Sequence, residues 1–308
     1  MVHSAAVGKF IKFIFFGNYF VGLLSIVLSL ETAVQLRLPF NSITYYALFF
    51  CGTVMYYTYA YAEPLQSFSP DNPRSVWYVQ HYQFIKYRQW ILLLLCIALG
   101  SYILVNDYEN LLHMPVRNWL VILVMLLAAL LYYGLLPRSF FKLNLRNTGW
   151  LKAFVIGFVW ACSVSLLPLI VLQVEQGYYH TDILLVMFLF IKNLMFCTVN
   201  AIMFDMKDYE DDSNHQLKTF VVRFGLRYTI FSILIPLSLI GIFFLFAFAH
   251  YRHFPFLPFF INLIPFLLLL FVIYSMRKQK KMLYYLIVID GLIFIKAICG
   301  IIAMHFVK

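Results

Sequence analysis

Five of the chain's thirteen acidic residues lie in the eight positions from Asp205 to Asp212. The cluster directly follows an apolar run, residues 183–204. Asp205, Asp208 and Asp212 stand at i, i+3 and i+7, so a continuing helix would carry all three on one face. Three carboxylates on one face repel one another unless a cation lies between them. Magnesium favours one or two carboxylates completed by water and phosphate oxygens, so this spacing predicts a holder for a Mg²⁺–diphosphate unit. Glu210 and Asp211 point elsewhere. Lys218 and Arg223 follow closely and are suited to the far side of a phosphate group. Reading the cluster as a solvated acidic loop leaves those two cations without a role.

The elements that must position these residues are membrane helices. Of the 308 residues, 63% are hydrophobic and 12% charged, with a mean hydropathy of +0.85. A soluble domain is nearer half apolar and a quarter charged. Nine runs are long enough to cross the hydrocarbon core as helices, roughly 10–30, 42–63, 89–106, 117–137, 150–172, 183–204, 228–250, 256–276 and 282–306. No polar stretch between them is long enough for a soluble domain, so residues 1–308 are expected to form a single membrane domain. The first run is too long for a cleavable signal peptide and lacks a small-residue cleavage site. With the N-terminus in the cytoplasm, seventeen of the 23 basic residues fall on the cytoplasmic side and four opposite. That bias predicts nine spans with the N-terminus inside and assigns the net charge of +10 to topology rather than to nucleic acid. The five cysteines all sit in apolar runs without CxxC spacing and read as packing residues.

Several polar residues lie within the predicted spans. Lys192, Asn193 and Asn200 fall in the sixth, and Asp290 and Lys296 in the ninth. Intramembrane charge is a functional candidate by default, whereas an asparagine serves equally well as an interhelical hydrogen-bonding group. Asn200 is a candidate for facing a cavity. Asp290 is a candidate partner for Lys192 or for a basic loop residue across helices, and Lys296 requires a partner. Lys152, at the start of the fifth span, is the best phosphate candidate among the basic residues around it. Tyr57 and Tyr61 are one turn apart and could share a face of the second span, although ordinary packing explains them too. No nucleophile triad, HExxH or phosphate-loop signature is present.

The run Asp205-Met-Lys-Asp208-Tyr-Glu-Asp-Asp212, followed by Lys218-Thr219-Phe-Val-Val-Arg223-Phe-Gly225, resembles the second aspartate-rich motif of the UbiA superfamily of intramembrane prenyltransferases. Val221 and Gln216 replace the proline and glycine usual there. The resemblance implies an all-α, nine-helix bundle in which a prenyl diphosphate is bound through Mg²⁺. Asp205, Asp208 and Asp212 would hold the metal, and Lys218, Arg223, Lys152 and Asn200 would line the substrate. Diphosphate would depart, and a membrane-held lipophilic acceptor, often aromatic, would attack the allylic cation. The family's first aspartate motif should stand near the end of the second span, where this chain has Tyr57 to Pro64. The nearest acids, Glu63 and Asp71, are separated by Pro64 and Pro70 and cannot share a helical face. Arg74, Lys86 and Arg88 are the basic groups available there for phosphate. Two readings follow: a Mg²⁺-dependent prenyltransferase, or a catalytically silent relative that binds or presents a polyprenyl lipid or quinone. A transporter is the weaker third, because no repeat is visible. The expected setting is a bacterial inner (cytoplasmic) membrane.

Overall fold

The computed structural model describes residues 2–59, 61, 72–133, 149–179, 182–207, 209, 217–277, 280 and 282–307, with side chains from Val7 onward. These residues form helices and turns, with no strand among them. The helices are α1 (Val2–Phe16), α2 (Tyr19–Leu36), α3 (Ile43–Tyr59), α4 (Pro73–Gln80), α5 (Tyr82–Asn106), α6 (Tyr108–Leu112) and α7 (Val116–Tyr133), followed by α8 (Leu151–Gln176), α9 (Ile183–Lys207), α10 (Phe220–Tyr251), α11 (Phe256–Ser275) and α12 (Met282–Met304). Eight of them are at least 18 residues long and apolar enough to cross a membrane. The chain is thus an integral, multi-pass membrane protein. α3 has 17 residues, about 25 Å of helix, and ends where the described residues stop.

The chain divides into two compact units: Met1–Ile26 with Asn41–His113, and Val27–Phe40 with Met114–Lys308. In the first unit, the predicted span 10–30 is broken. Gly17 closes α1 by donating to the Phe13 carbonyl, and Asn18 takes a left-handed conformation at φ 64°. Asparagine tolerates that region better than other residues bearing a Cβ. α2 then starts on the Asn18 carbonyl, so the spanning helix is Tyr19–Leu36. Hydropathy merged the two helices because the turn residues are short and flanked by apolar neighbours.

In the second unit, α8 and α9 pack antiparallel. Gly157 lies so close to Thr198 that a Cβ there would collide with the threonine hydroxyl. Small residues permit such close crossings in membrane helices. Lys152 meets Asp205 and Ser165 meets Asn193 in the same register. α8 widens to a π-helical turn over Cys162–Leu166. Pro168 has no N–H for the Val164 carbonyl, which accepts instead from Thr32 Oγ1 of α2 at 2.6 Å. Similar wide turns occupy Thr229–Leu234 of α10 and Tyr285–Ile289 of α12. By contrast, α5 and α7 turn most of their apolar side chains outward, as lipid-facing helices do.

Candidate functional site

The described part of the acidic cluster lies where three helix ends meet in the second unit. Asp205 occupies the last turn of α9 and is only 4% exposed. Its Oδ1 is 3.1 Å from Nζ of Lys152, in the first turn of α8, and Lys152 is itself buried. Beside them begins α10. Gly149, at φ 68°, lies against the backbone of Lys218, and no residue with a Cβ would fit there. The ring of Phe220 is 6.1 Å from those of both Trp150 and Phe154, which sets the starts of α8 and α10 side by side. Thr219 is the buried N-cap of α10, its hydroxyl accepting from the Val222 amide. Two helix N-termini therefore present their positive ends near a buried carboxylate, an arrangement that favours anions. Lys218 and Arg223 are exposed at this end, Arg223 lying 5.0 Å over the Phe224 ring. Gly225 breaks the helix at φ 76°, ψ 165°, a conformation close to glycine-only, which explains the glycine that closes the motif.

Of the sequence-predicted residues, the structure brings Lys152 and Asp205 into contact and places the Lys218–Arg223 segment next to Lys152's helix. Asp208 and Asp212 lie outside the described residues. Asn200 does not join Asp205: five residues back on α9, it points about 140° away round the helix. Its Nδ2 donates to the Phe196 carbonyl at 2.9 Å, and its buried Oδ1 has no hydrogen-bond partner among the described residues.

A second charged group is centred on Glu31 of α2, which the sequence did not single out, and gathers Lys192, Asn193 and Lys296, which it did. Lys296 Nζ donates to Glu31 Oε2 at 2.6 Å and also to Asn193 Oδ1. Lys192 Nζ lies 3.5 Å from Glu31 Oε1, donates to Gln35 Oε1 at 2.7 Å and sits 5.3 Å over the Phe248 ring. Gln35 Nε2 donates to Asn262 Oδ1 at 3.0 Å, and Asn193 Nδ2 to Ser165 Oγ at 2.8 Å. Gly300 leaves room for this group, since a Cβ there would strike Glu31 and Gln35. The carboxylate partner of Lys192 is therefore Glu31 and not Asp290. The clue to their partner was Glu31 with Gln35 one turn on, in a run whose other polar residues are Ser25, Ser29 and Thr32.

In the first unit, the arginines considered for phosphate turn inward. Arg88 donates to the Gly17 carbonyl at 3.0 Å and to Thr58 Oγ1 at 2.7 Å, with its guanidinium 5.1 Å over the Tyr19 ring. Arg74 reaches Asn18 Oδ1 and the Phe16 carbonyl, and lies 4.3 Å over the Tyr61 ring. Tyr61 stacks on Tyr78, whose hydroxyl donates to the same Phe16 carbonyl. Both arginines thus cap the C-terminal end of α1, where the helix dipole is negative. Lys86 stays exposed.

Among the described residues, Asp205 supplies one buried carboxylate facing Lys152, and no group of three or more His, Cys, Asp or Glu side chains comes together. Fold and site together define a polytopic helical membrane protein with a buried acidic helix end faced by basic helix starts. The model of the UbiA prenyltransferase family matches residues 83–289, about two thirds of the chain. The chain belongs to that family, and membership implies membrane prenyltransferase activity in general. The match covers Lys152, Asn200, Asp205 to Asp212, Lys218 and Arg223, and begins beyond the segment where a first aspartate motif would stand. No curated protein and no solved structure matches the chain.

Proposed function

We propose that this protein transfers an isoprenyl group from a prenyl diphosphate to a lipophilic, aromatic acceptor held in the membrane. The observation that carries the reading is the buried Asp205 carboxylate, fixed where Lys152 and two helix starts converge. Asp205, Asp208 and Asp212 hold Mg²⁺, which when bound supplies the charge that stabilises departing diphosphate. Lys218, Arg223 and Lys152 bind the diphosphate oxygens and stabilise the charge developing on them. Asn200, with its unpartnered oxygen, offers a polar contact to substrate deeper along α9. Apolar helices around the site keep water from the allylic cation. The proposed topology has nine spans, counting α3, in a single domain over residues 1–308. The N-terminus and the motif face the cytoplasm of a bacterial inner membrane.

The test is incubation of purified protein, with Mg²⁺ and extracted membrane lipid, with prenyl diphosphates of graded length. Mass spectrometry of the lipid fraction should show a prenylated aromatic product and stoichiometric diphosphate. A second reading, a silent relative that binds or presents a polyprenyl lipid or quinone, draws on the segment before α4, which lacks the acidic motif, and on the inward turn of Arg74 and Arg88. Mg²⁺-dependent binding of the diphosphate without product over hours would favour it.

A further inference from the structure

We propose that the outer face where α10 and α11 meet seats an anionic phospholipid, with Arg277 and Arg227 on its phosphate. The inference is independent of the transfer reaction and holds whether or not that reaction does. Its anchor is Arg277, just beyond the end of α11. The guanidinium lies 3.8 Å over the Tyr274 ring, one turn back on α11, and 5.0 Å over the Phe231 ring of α10. Arg277 and both rings are exposed. Anchoring a helix end to one side of a membrane takes only charge. Here two rings from neighbouring helices also fix where the charge sits, and a guanidinium over ring faces keeps its in-plane N–H groups available to phosphate. Arg227 stands one turn before Phe231 on α10 and is exposed as well. Lys280 adds a third cation, its Nζ 5.5 Å over the Tyr284 ring. The Tyr284 hydroxyl and Ser275 Oγ are 2.9 Å apart, which ties the start of α12 to the end of α11. No carboxylate among the described residues pairs with Arg227, Arg277 or Lys280.

The surface that leads up to these cations suits an acyl chain. Ile264, Leu267, Phe271 and Tyr274 are exposed at steps of three and four along α11, so they form one outward stripe. From Ile264 to Tyr274 the helix rises about 15 Å, the hydrocarbon depth of one leaflet. Arg277 follows one turn later, at the height where phosphates begin. A phospholipid satisfies both parts of this surface: its phosphate accepts from the arginines, and its chain covers the stripe. Three unpaired cations favour a headgroup of net negative charge, and they repel the ammonium of a zwitterionic one. A free phosphate has nothing with which to cover the stripe.

The experiment is native mass spectrometry of the full-length protein, purified in detergent, with equal amounts of phosphatidylglycerol and phosphatidylcholine of the same chain length. Every variant is checked for monodispersity. Wild type should retain phosphatidylglycerol in preference. Arg277→Gln should weaken that retention about fivefold, and Arg227→Gln/Arg277→Gln by about the same factor again, with phosphatidylcholine unchanged. Tyr274→Leu keeps the charge but removes the ring that holds it, and should weaken phosphatidylglycerol about threefold. Lys9→Gln, which removes an exposed lysine of α1, should match wild type. Glycerol 3-phosphate should fail to displace the lipid at equal concentration. Wild-type retention by Arg277→Gln would overturn the inference. An equal loss in Lys9→Gln would also overturn it, because the charge would then act without a defined seat. Displacement by glycerol 3-phosphate would make the site one for a free anion and overturn the lipid assignment.

Discussion

α9 carries two lysine–carboxylate groupings, and they differ in how completely they are closed. Near its middle, Lys192 and Asn193 join Lys296 and Glu31 in a network tied to Gln35, Asn262 and Ser165. Every charged atom there has a partner, and the group links five helices: α2, α8, α9, α11 and α12. At its end, Asp205 meets Lys152 in a less buried pair beside two helix starts. Buried ion groups that are fully satisfied hold one arrangement and are costly to break. The pair at the helix end is less enclosed and lies beside two helix starts. The comparison teaches that burial of charge alone does not mark a reactive site: the deeper group is closed on itself, and the substrate role proposed above falls to the shallower pair.

The contrast can be broken most forcefully at Glu31. Glu31→Gln leaves two buried ammoniums against no carboxylate and should cost about 3–5 kcal/mol. Denaturant unfolding in micelles would measure this, and the triple variant Glu31→Leu, Lys192→Met, Lys296→Met should recover most of the loss. Recovery would identify the cluster as structural. A triple variant that is stable but inactive would instead give it a catalytic part. Gly157→Val should come next. It forces α8 away from Thr198, at a cost of about 1–3 kcal/mol in stability. Because it also moves Lys152 relative to Asp205, it should lower turnover by about a hundredfold, the scale of an ångström's misplacement. Retained activity in a folded Gly157→Val protein would mean that the α8–α9 crossing does not position the site. Gly225→Ala is the mildest, straining one residue by about 1–3 kcal/mol. It should raise KM for the diphosphate more than it lowers kcat, because it shifts Arg223 while sparing Asp205. Steady-state kinetics would separate the two.

The shallow pair was legible in the sequence, whereas of the deep cluster Lys192, Asn193 and Lys296 stood out and their carboxylate, Glu31, did not, for a physical reason. Asp205 stands out because acids concentrated at the end of an apolar run are rare, and Lys152 because it opens the next basic helix start. Their actual contact required knowing that α8 and α9 pack antiparallel through Gly157. Glu31 is a lone acid in an apolar run, and Lys296, its closest partner, is 265 positions away. Pairing over that distance is set by which helices become neighbours, and hydropathy does not encode it. The same limit explains the first predicted span: the turn at Gly17–Asn18 is a local conformational choice, outweighed in any hydropathy window by the residues around it. Of the quoted motif, Gly225 takes φ 76°, ψ 165°, a conformation that favours glycine, while Asp208 and Asp212 lie outside the described residues.

The central proposal is that the carboxylates of Asp205, Asp208 and Asp212 hold the metal for diphosphate departure. Its most direct test is Mg²⁺-dependent diphosphate release by an Asp205→Ala/Asp208→Ala double variant, purified alongside wild type. The account predicts release at the background level, with the variant still folded and monodisperse. Release at the wild-type rate would contradict it.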